Sequence, residues 1–177
     1  MKKAVLFLVF LIIFGFTLTS CGEPDIRQTT VEEFLTLYQS KDESAGTYLY
    51  GQTEDQKIKF EGIQALLAQN MTFTVGGAQE KDEKNFVEVK IQNIDFRSVF
   101  ETTAQEVDEN IPEEDILGKL QEGLKSNSAP RKEFDVDILL EKDGEDYKIV
   151  MDGELSNALL GGYNEYITLL TGEMVHE

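Results

Sequence analysis

Glu133-Phe134-Asp135-Val136-Asp137-Ile138-Leu139-Leu140-Glu141-Lys142-Asp143-Gly144-Glu145-Asp146-Tyr147-Lys148-Ile149 is the stretch from which the fold is read. Phe134, Val136, Ile138 and Leu140 fall on one side and Asp135, Asp137 and Glu141 on the other, the period of two that marks a half-buried strand. Lys142-Asp143-Gly144-Glu145 is a hairpin turn, with glycine available for the left-handed backbone such turns need. Tyr147, Ile149 and Met151 then alternate with Lys148 and Asp152 on a returning strand. A second pair of runs, Met71, Phe73, Val75 and then Val87, Val89, Ile91, predicts a second hairpin. Its loop is expected to be Gly76-Gly77 and the charged residues up to Asn85. Alternation of this kind belongs to an antiparallel sheet with one face on a core.

Helical spacing surrounds the two hairpins. Thr30-Val31-Glu32-Glu33 has the form of a capping box, and Val31, Phe34, Leu35 and Tyr38 make one apolar stripe, so a helix is predicted over 31–40. Asp42-Glu43-Ser44 opens a short helix carrying Tyr48 and Leu49 and closed by Gly51. A third is expected over 54–69 on Ile58, Ile63, Leu66 and Leu67, with Gly62 inside it. Between the hairpins, Phe96, Val99, Phe100 and Val107 predict a helix over 96–109. Pro112 then fits a first helical position, and Ile116, Leu117, Leu120 and Leu124 form the core face of the next helix. A last helix after Asp152-Gly153 carries Leu155, Leu159, Tyr163, Tyr166, Ile167 and Leu170. Gly161-Gly162 within it either lets the helix lie close on a neighbour, the reading adopted, or breaks it. The fold class is α+β: a four-stranded antiparallel sheet packed with N-terminal, inserted and C-terminal helices.

The start of the chain is built otherwise. Lys2 and Lys3 precede an apolar run over 4–16, the composition of a secretory leader. The run is short beside the roughly 20 apolar residues of a permanent span. Leu18-Thr19-Ser20-Cys21 follows, and then the polar Gly22-Glu23-Pro24-Asp25. This resembles the export signal and lipobox of bacterial lipoproteins. The resemblance implies cleavage between Ser20 and Cys21 and a diacylglycerol on the Cys21 sulfur. The chain then divides into a leader over 1–20, a lipidated cysteine with a polar tether over 21–29, and a single domain over 30–177. It implies a lipid-anchored protein on the extracytoplasmic side of a bacterial cell membrane. An uncleaved anchor, or an ordinary signal cut at another small residue, are the competing readings. Cysteine usage agrees with the lipobox, because Cys21 is the one cysteine and has no internal partner.

Charge narrows the partners. The chain has 16 basic and 34 acidic residues; without Lys2 and Lys3 the remainder has 14 against 34, a net −20. Such a surface repels nucleic acid and anionic lipid, which excludes a nucleic-acid partner and leaves the acyl chains as the grip on the membrane. Residues 21–177 number 157, enough for one core.

The side chains that carry most enzyme chemistry are scarce. His176, the one histidine, is the penultimate residue, so a histidine-based triad and a zinc site are both absent from the reading. No phosphate-binding glycine loop or nucleophile elbow occurs. Residues 106–115 are rich in acids but lack the order of a calcium loop, and a solvated helix junction is expected there. Five tyrosines, Tyr48, Tyr50, Tyr147, Tyr163 and Tyr166, are more readily core residues with a surface hydroxyl than pocket lining. If a small-molecule cavity exists, Phe34, Tyr48, Phe73, Tyr147 and Tyr163 are its candidate lining. No catalytic residue, metal or cofactor is assigned.

The helix-then-sheet order, and the hairpin 141–149 leading into Asn157-Ala158-Leu159-Leu160-Gly161-Gly162, resemble the small cystatin-like lipoproteins of Gram-positive bacteria. These belong with the relatives of nuclear transport factor 2, in which a curved sheet wraps a long N-terminal helix. The resemblance covers about 30–170 and departs at the helical insert over 96–127 and at the helix after the last strand. The anchor, the acidic surface and the lack of a catalytic set point to a non-enzymatic module that binds a protein, peptide or small molecule. The alternative the resemblance implies is an enzyme using an acid and a tyrosine in a cone-shaped pocket.

Overall fold

Alternation places the sheet. The computed structural model describes residues 25–52, 57–106 and 112–171. Four strands, β1 (Thr72–Lys81), β2 (Lys84–Ile94), β3 (Arg131–Asp143) and β4 (Asp146–Ile149), form one antiparallel sheet in the order β1-β2-β3-β4. Val89 faces Val136 and Ile91 faces Phe134 across β2 and β3, and these pairs look inward. Lys90 opposite Asp135 and Glu88 opposite Asp137 look outward, as the alternation requires. Gly144 takes φ +66 in the turn between β3 and β4. The first hairpin departs from expectation. Gly76-Gly77 is not its loop but a bulge within β1, where the register shifts between Val75 and Ala78. A Cβ on Gly76 would lie 3.0 Å from the Glu88 carbonyl oxygen, so glycine is what lets the strand pass. The turn itself is Asp82-Glu83, both with left-handed φ (52° and 64°), as a two-residue hairpin turn of the primed type needs.

The first helix, α1 (Ile26–Ser40), starts earlier than the capping box predicts. Asp25 is the cap: its carboxylate accepts from the Arg27 N–H at 2.9 Å. Thr30 is inside the helix, and its hydroxyl donates back to the Ile26 carbonyl at 2.8 Å. Residues 26–29, expected in a polar tether, form the first turn of α1 instead, with Asp25 as its cap. The short helix η1 (Glu43–Tyr48) is a 3₁₀ helix capped by Asp42. The helix expected over 54–69 is reduced to α2 (Gly62–Asn70); residues 53–56 lie outside the described residues, and 57–61 are not helical. Gly62, with φ +52, makes the entry into α2 that a side chain would resist, and Phe60 ahead of it packs edge-on against Tyr38 with ring centroids 5.0 Å apart.

Two helices fill the insert between β2 and β3: α3 (Phe96–Gln105) and α4 (Glu113–Lys125). Asp95 caps α3 through the Ser98 N–H; Val107, expected on its face, lies outside the described residues. Pro112 holds the cap position of α4 instead of its first turn. Leu120 and Leu124 are buried as expected, whereas Leu117 is 51% exposed. It lies on the same side of α4 as buried Leu124 but two turns nearer the helix start, where the described residues leave it uncovered. The last helix is broken into α5 (Gly153–Leu159) and α6 (Tyr163–Thr171), with Gly161 at φ +60 and Gly162 at φ +85. The close approach expected of these glycines is present at the break: a Cβ on Gly161 would meet the Ile94 carbonyl oxygen at 2.2 Å.

Two apolar clusters result. The larger lies between the inner sheet face and α1 with α5, and includes Val31, Phe34, Leu35, Val89, Ile91, Ile138, Leu155 and Leu159. The smaller gathers α2, α3, α4 and α6 at one end of the sheet around Leu67, Ile94, Phe96, Val99, Leu124 and Tyr166. Asn93 is fully buried between them. Its amide donates to the Leu159 carbonyl at 2.9 Å and its side-chain oxygen accepts from the Ile94 N–H at 2.8 Å, tying β2 to the end of α5.

Candidate functional site

The five aromatic residues named as candidate pocket lining divide between the two clusters, four with the larger and Tyr163 with the smaller. Phe34 is fully buried in the larger cluster, against which Tyr48, Phe73 and Tyr147 pack from its margin. Tyr163 belongs to the smaller cluster, edge-on to Phe96 with centroids 4.9 Å apart. Cys21 and Ser20, and the terminal His176, lie outside the described residues.

An acid and a tyrosine do pair, but on the outside. The Tyr48 hydroxyl donates to Glu33 Oε2 at 2.8 Å, joining η1 to the exposed side of α1. Partial burial, and then the neighbouring carboxylate, raise the Tyr48 pKa, so the phenol is held protonated and makes a poor base. Tyr38 is raised by burial too, with its hydroxyl accepting from the Gln64 amide at 3.4 Å. Among the described residues, no group of three or more acids, histidines or cysteines is placed to hold a metal.

What the domain offers is surface. The outer face of the sheet carries a depression of about 310 Å³ beside the β1 bulge, lined by Thr74, Gly76, Glu88, Lys90, Asp135 and Asp137. Lys90 is its cation: the ammonium lies 2.9 Å from Asp135 and 3.3 Å from Glu133, which raise its pKa in that order. These ion pairs are exposed and contribute little to stability. A second, more apolar groove of about 610 Å³ runs between α5 and α6, past Asn157, Tyr163, Ile167 and Leu169. Leu169 and Leu170 stand 61% and 60% exposed at its end. Leu170, expected in the core, is exposed instead, in the last turn of α6.

The N-terminal junction is the best-defined polar feature. Asp25 pairs with the Arg27 guanidinium at 2.6 Å, and Arg27 reaches across to Asn85 Oδ1 at 3.1 Å. The hydrogen bonds from Arg27 hold the Asp25 carboxyl below its ordinary range, and Arg27 is raised in turn. Gln28 donates to the Gly76 carbonyl at 2.6 Å, so the first turn of α1 is fastened to both strands of the first hairpin. Sequence reading placed these residues in a tether. The signal it passed over was Asp25 itself, an acid directly after Pro24 and able to cap. Asn93 was likewise legible as an amide at an inward position of β2, in phase with Val87, Val89 and Ile91.

No family model, curated protein or solved structure matches this chain.

Proposed function

We propose that this is a lipid-anchored extracytoplasmic protein whose acidic α+β domain binds a protein, peptide or small molecule and does not catalyse a reaction. One observation carries the reading: Lys2-Lys3, the apolar run over 4–16 and Leu18-Thr19-Ser20-Cys21 stand in the order of a lipoprotein signal, with the sole cysteine at the lipidation position. A diacylglycerol there supplies two chains, each buried methylene contributing about 0.8 kcal/mol, which makes attachment lasting where one chain is marginal. Asp25 capping α1 four residues after Cys21 supports it, because a folded body directly follows the proposed cleavage site. The resemblance to cystatin-like lipoprotein domains draws support from α1 lying along the inner face of a four-stranded antiparallel sheet.

Among the described residues, Tyr48 and Glu33 are the hydrogen-bonded acid–tyrosine pair that the enzymatic alternative could use. That pair is exposed on the exterior rather than set in an enclosed cleft, so the binding reading is preferred. The test is Cys21→Ala in cells fed an alkyne-tagged fatty acid. The wild type is expected to take up the tag and fractionate with membranes, and the variant to lose both properties or to remain as unprocessed precursor. Acylation persisting in the variant would refute the proposal.

A further inference from the structure

The end of the domain at which α1 begins also carries both hairpin turns. Arg27 meets Asn85, two residues beyond the Asp82-Glu83 turn, at 3.1 Å. Asn85 is paired with Leu140 of β3, three residues before Asp143, where the second hairpin turns at Gly144. Glu80 and Tyr147, next to the two turns, are near enough to Arg27 to act on its electrostatics. The opposite end of α1 lies with the opposite end of the sheet: Gln39 donates to the carbonyl of Met71, just before β1, at 2.6 Å. The domain therefore has two distinct poles. One holds Asp25 and the hairpin turns; the other holds α3, α4 and the Ser126–Pro130 connection that follows them.

Four residue steps separate Cys21 from Asp25, and four steps of fully extended chain reach about 14 Å. From Asn85 to Ile94 along β2 the sheet alone runs about 30 Å. The link is thus shorter than the domain it holds. Lying flat would bring the outer sheet face, with Glu88, Glu133, Asp135, Asp137 and Glu141, onto the headgroups, which a negatively charged bilayer opposes.

We infer that the lipid surface is met by the turn-bearing pole, with Asp82-Glu83 and Gly144-Glu145 towards the bilayer and the α3–α4 pole directed away from it. This orientation rests on lipidation at Cys21, and it adds which face a partner can reach: the α3–α4 pole and the α5–α6 groove, not the hairpin turns. Because the turn pole carries Glu80, Asp82, Glu83, Asp143, Glu145 and Asp146 against Lys81, Lys84 and Lys142, a net negative charge, the standoff from an anionic surface should widen as salt is lowered.

The test uses the full mature protein, reconstituted in phosphatidylcholine nanodiscs doped with a gadolinium-chelating lipid. Paramagnetic broadening of assigned amide signals reports distance to the headgroups without any substitution. Broadening is expected to be several-fold stronger at Asp82, Glu83 and Gly144 than at Gly123 and Ser128. Equal broadening at the two poles, or the reverse order, in protein that co-purifies with the discs would overturn the orientation. Mass measurement of the same sample separates the two ideas. Should the cysteine carry no natural lipid, the anchoring proposal fails, and the same signals measured after coupling a maleimide lipid to Cys21 still decide the orientation, by the same criterion.

Discussion

The two apolar clusters are built by different rules. In the larger, each strand residue owes its direction to its parity: Val87, Val89 and Ile91 face α1 because Glu88 and Lys90 face water. In the smaller, direction is set by contacts between segments far apart in the chain. Gly161 brings its backbone against the Ile94 carbonyl, and the Phe96 N–H donates to the Gly161 carbonyl at 3.0 Å. Gly123 of α4 lies so close to α3 that a Cβ there would be 2.9 Å from Val99 Cγ1. Phe96, Phe100, Tyr163 and Tyr166 then fill the gap with tilted and edge-on ring contacts. The lesson is that burial in the sheet follows from sequence period, whereas burial in the helical end follows from which residues have no side chain.

Substitutions can strain that contrast. The largest effect is expected for Gly161→Ala, which combines a left-handed φ with a backbone contact that cannot relax: a loss of at least about 3 kcal/mol, read as collapse of the urea midpoint. A midpoint near wild type would show that the glycine contact does not organise the helical end. Next, Ile91→Ala in the sheet cluster and Leu124→Ala in the helical cluster each remove a fully buried side chain and should cost about 2–5 kcal/mol. Their values should add within error, since no residue belongs to both clusters; strong coupling in the double variant would merge the two regions into one.

Gly123→Ala should be milder, because overpacking against Val99 at about 1–3 kcal/mol is partly offset by about 1 kcal/mol of helix propensity. Adding Val99→Ala should recover part of that overpacking loss, and absence of any recovery in the double variant would argue against the contact. The smallest effect belongs to Asp25→Asn, under about 1 kcal/mol, since the amide still caps and the ion pair is partly solvated. The folded pKa of Asp25 is depressed, so its contribution is present above the unfolded value of about 3.9 and is lost as pH falls through the folded value. Wild type and variant should differ at neutral pH and converge in acid, as followed by thermal unfolding across pH.

The same contrast explains what could be read from residues alone. Strands β2 and β3 and the turn at Gly144 were legible because a period of two leaves little choice once Asp and Val alternate; β4 was legible only as far as Ile149, since Met151, expected on its inward side, lies beyond the strand and is exposed. The β1 bulge was not, since Gly76-Gly77 reads as a loop until the opposite strand is known to continue to Lys84. Capping strength misplaced the start of α1, where Thr30 had the right spacing to Glu33 but Asp25 offered a carboxylate with its own arginine. The glycine pair at 161–162 was open between close approach and a break, and it does both. For the site, Phe34 and Tyr163 were grouped by residue type, and only the tertiary arrangement assigns them to separate clusters.

The mass of the mature N-terminal peptide, released from protein isolated with the membrane, tests the central proposal most directly. The expected peptide begins at Cys21 and carries the added mass of a diacylglycerol on its sulfur. A peptide that retains Met1, or one whose Cys21 is an unmodified thiol, would contradict it.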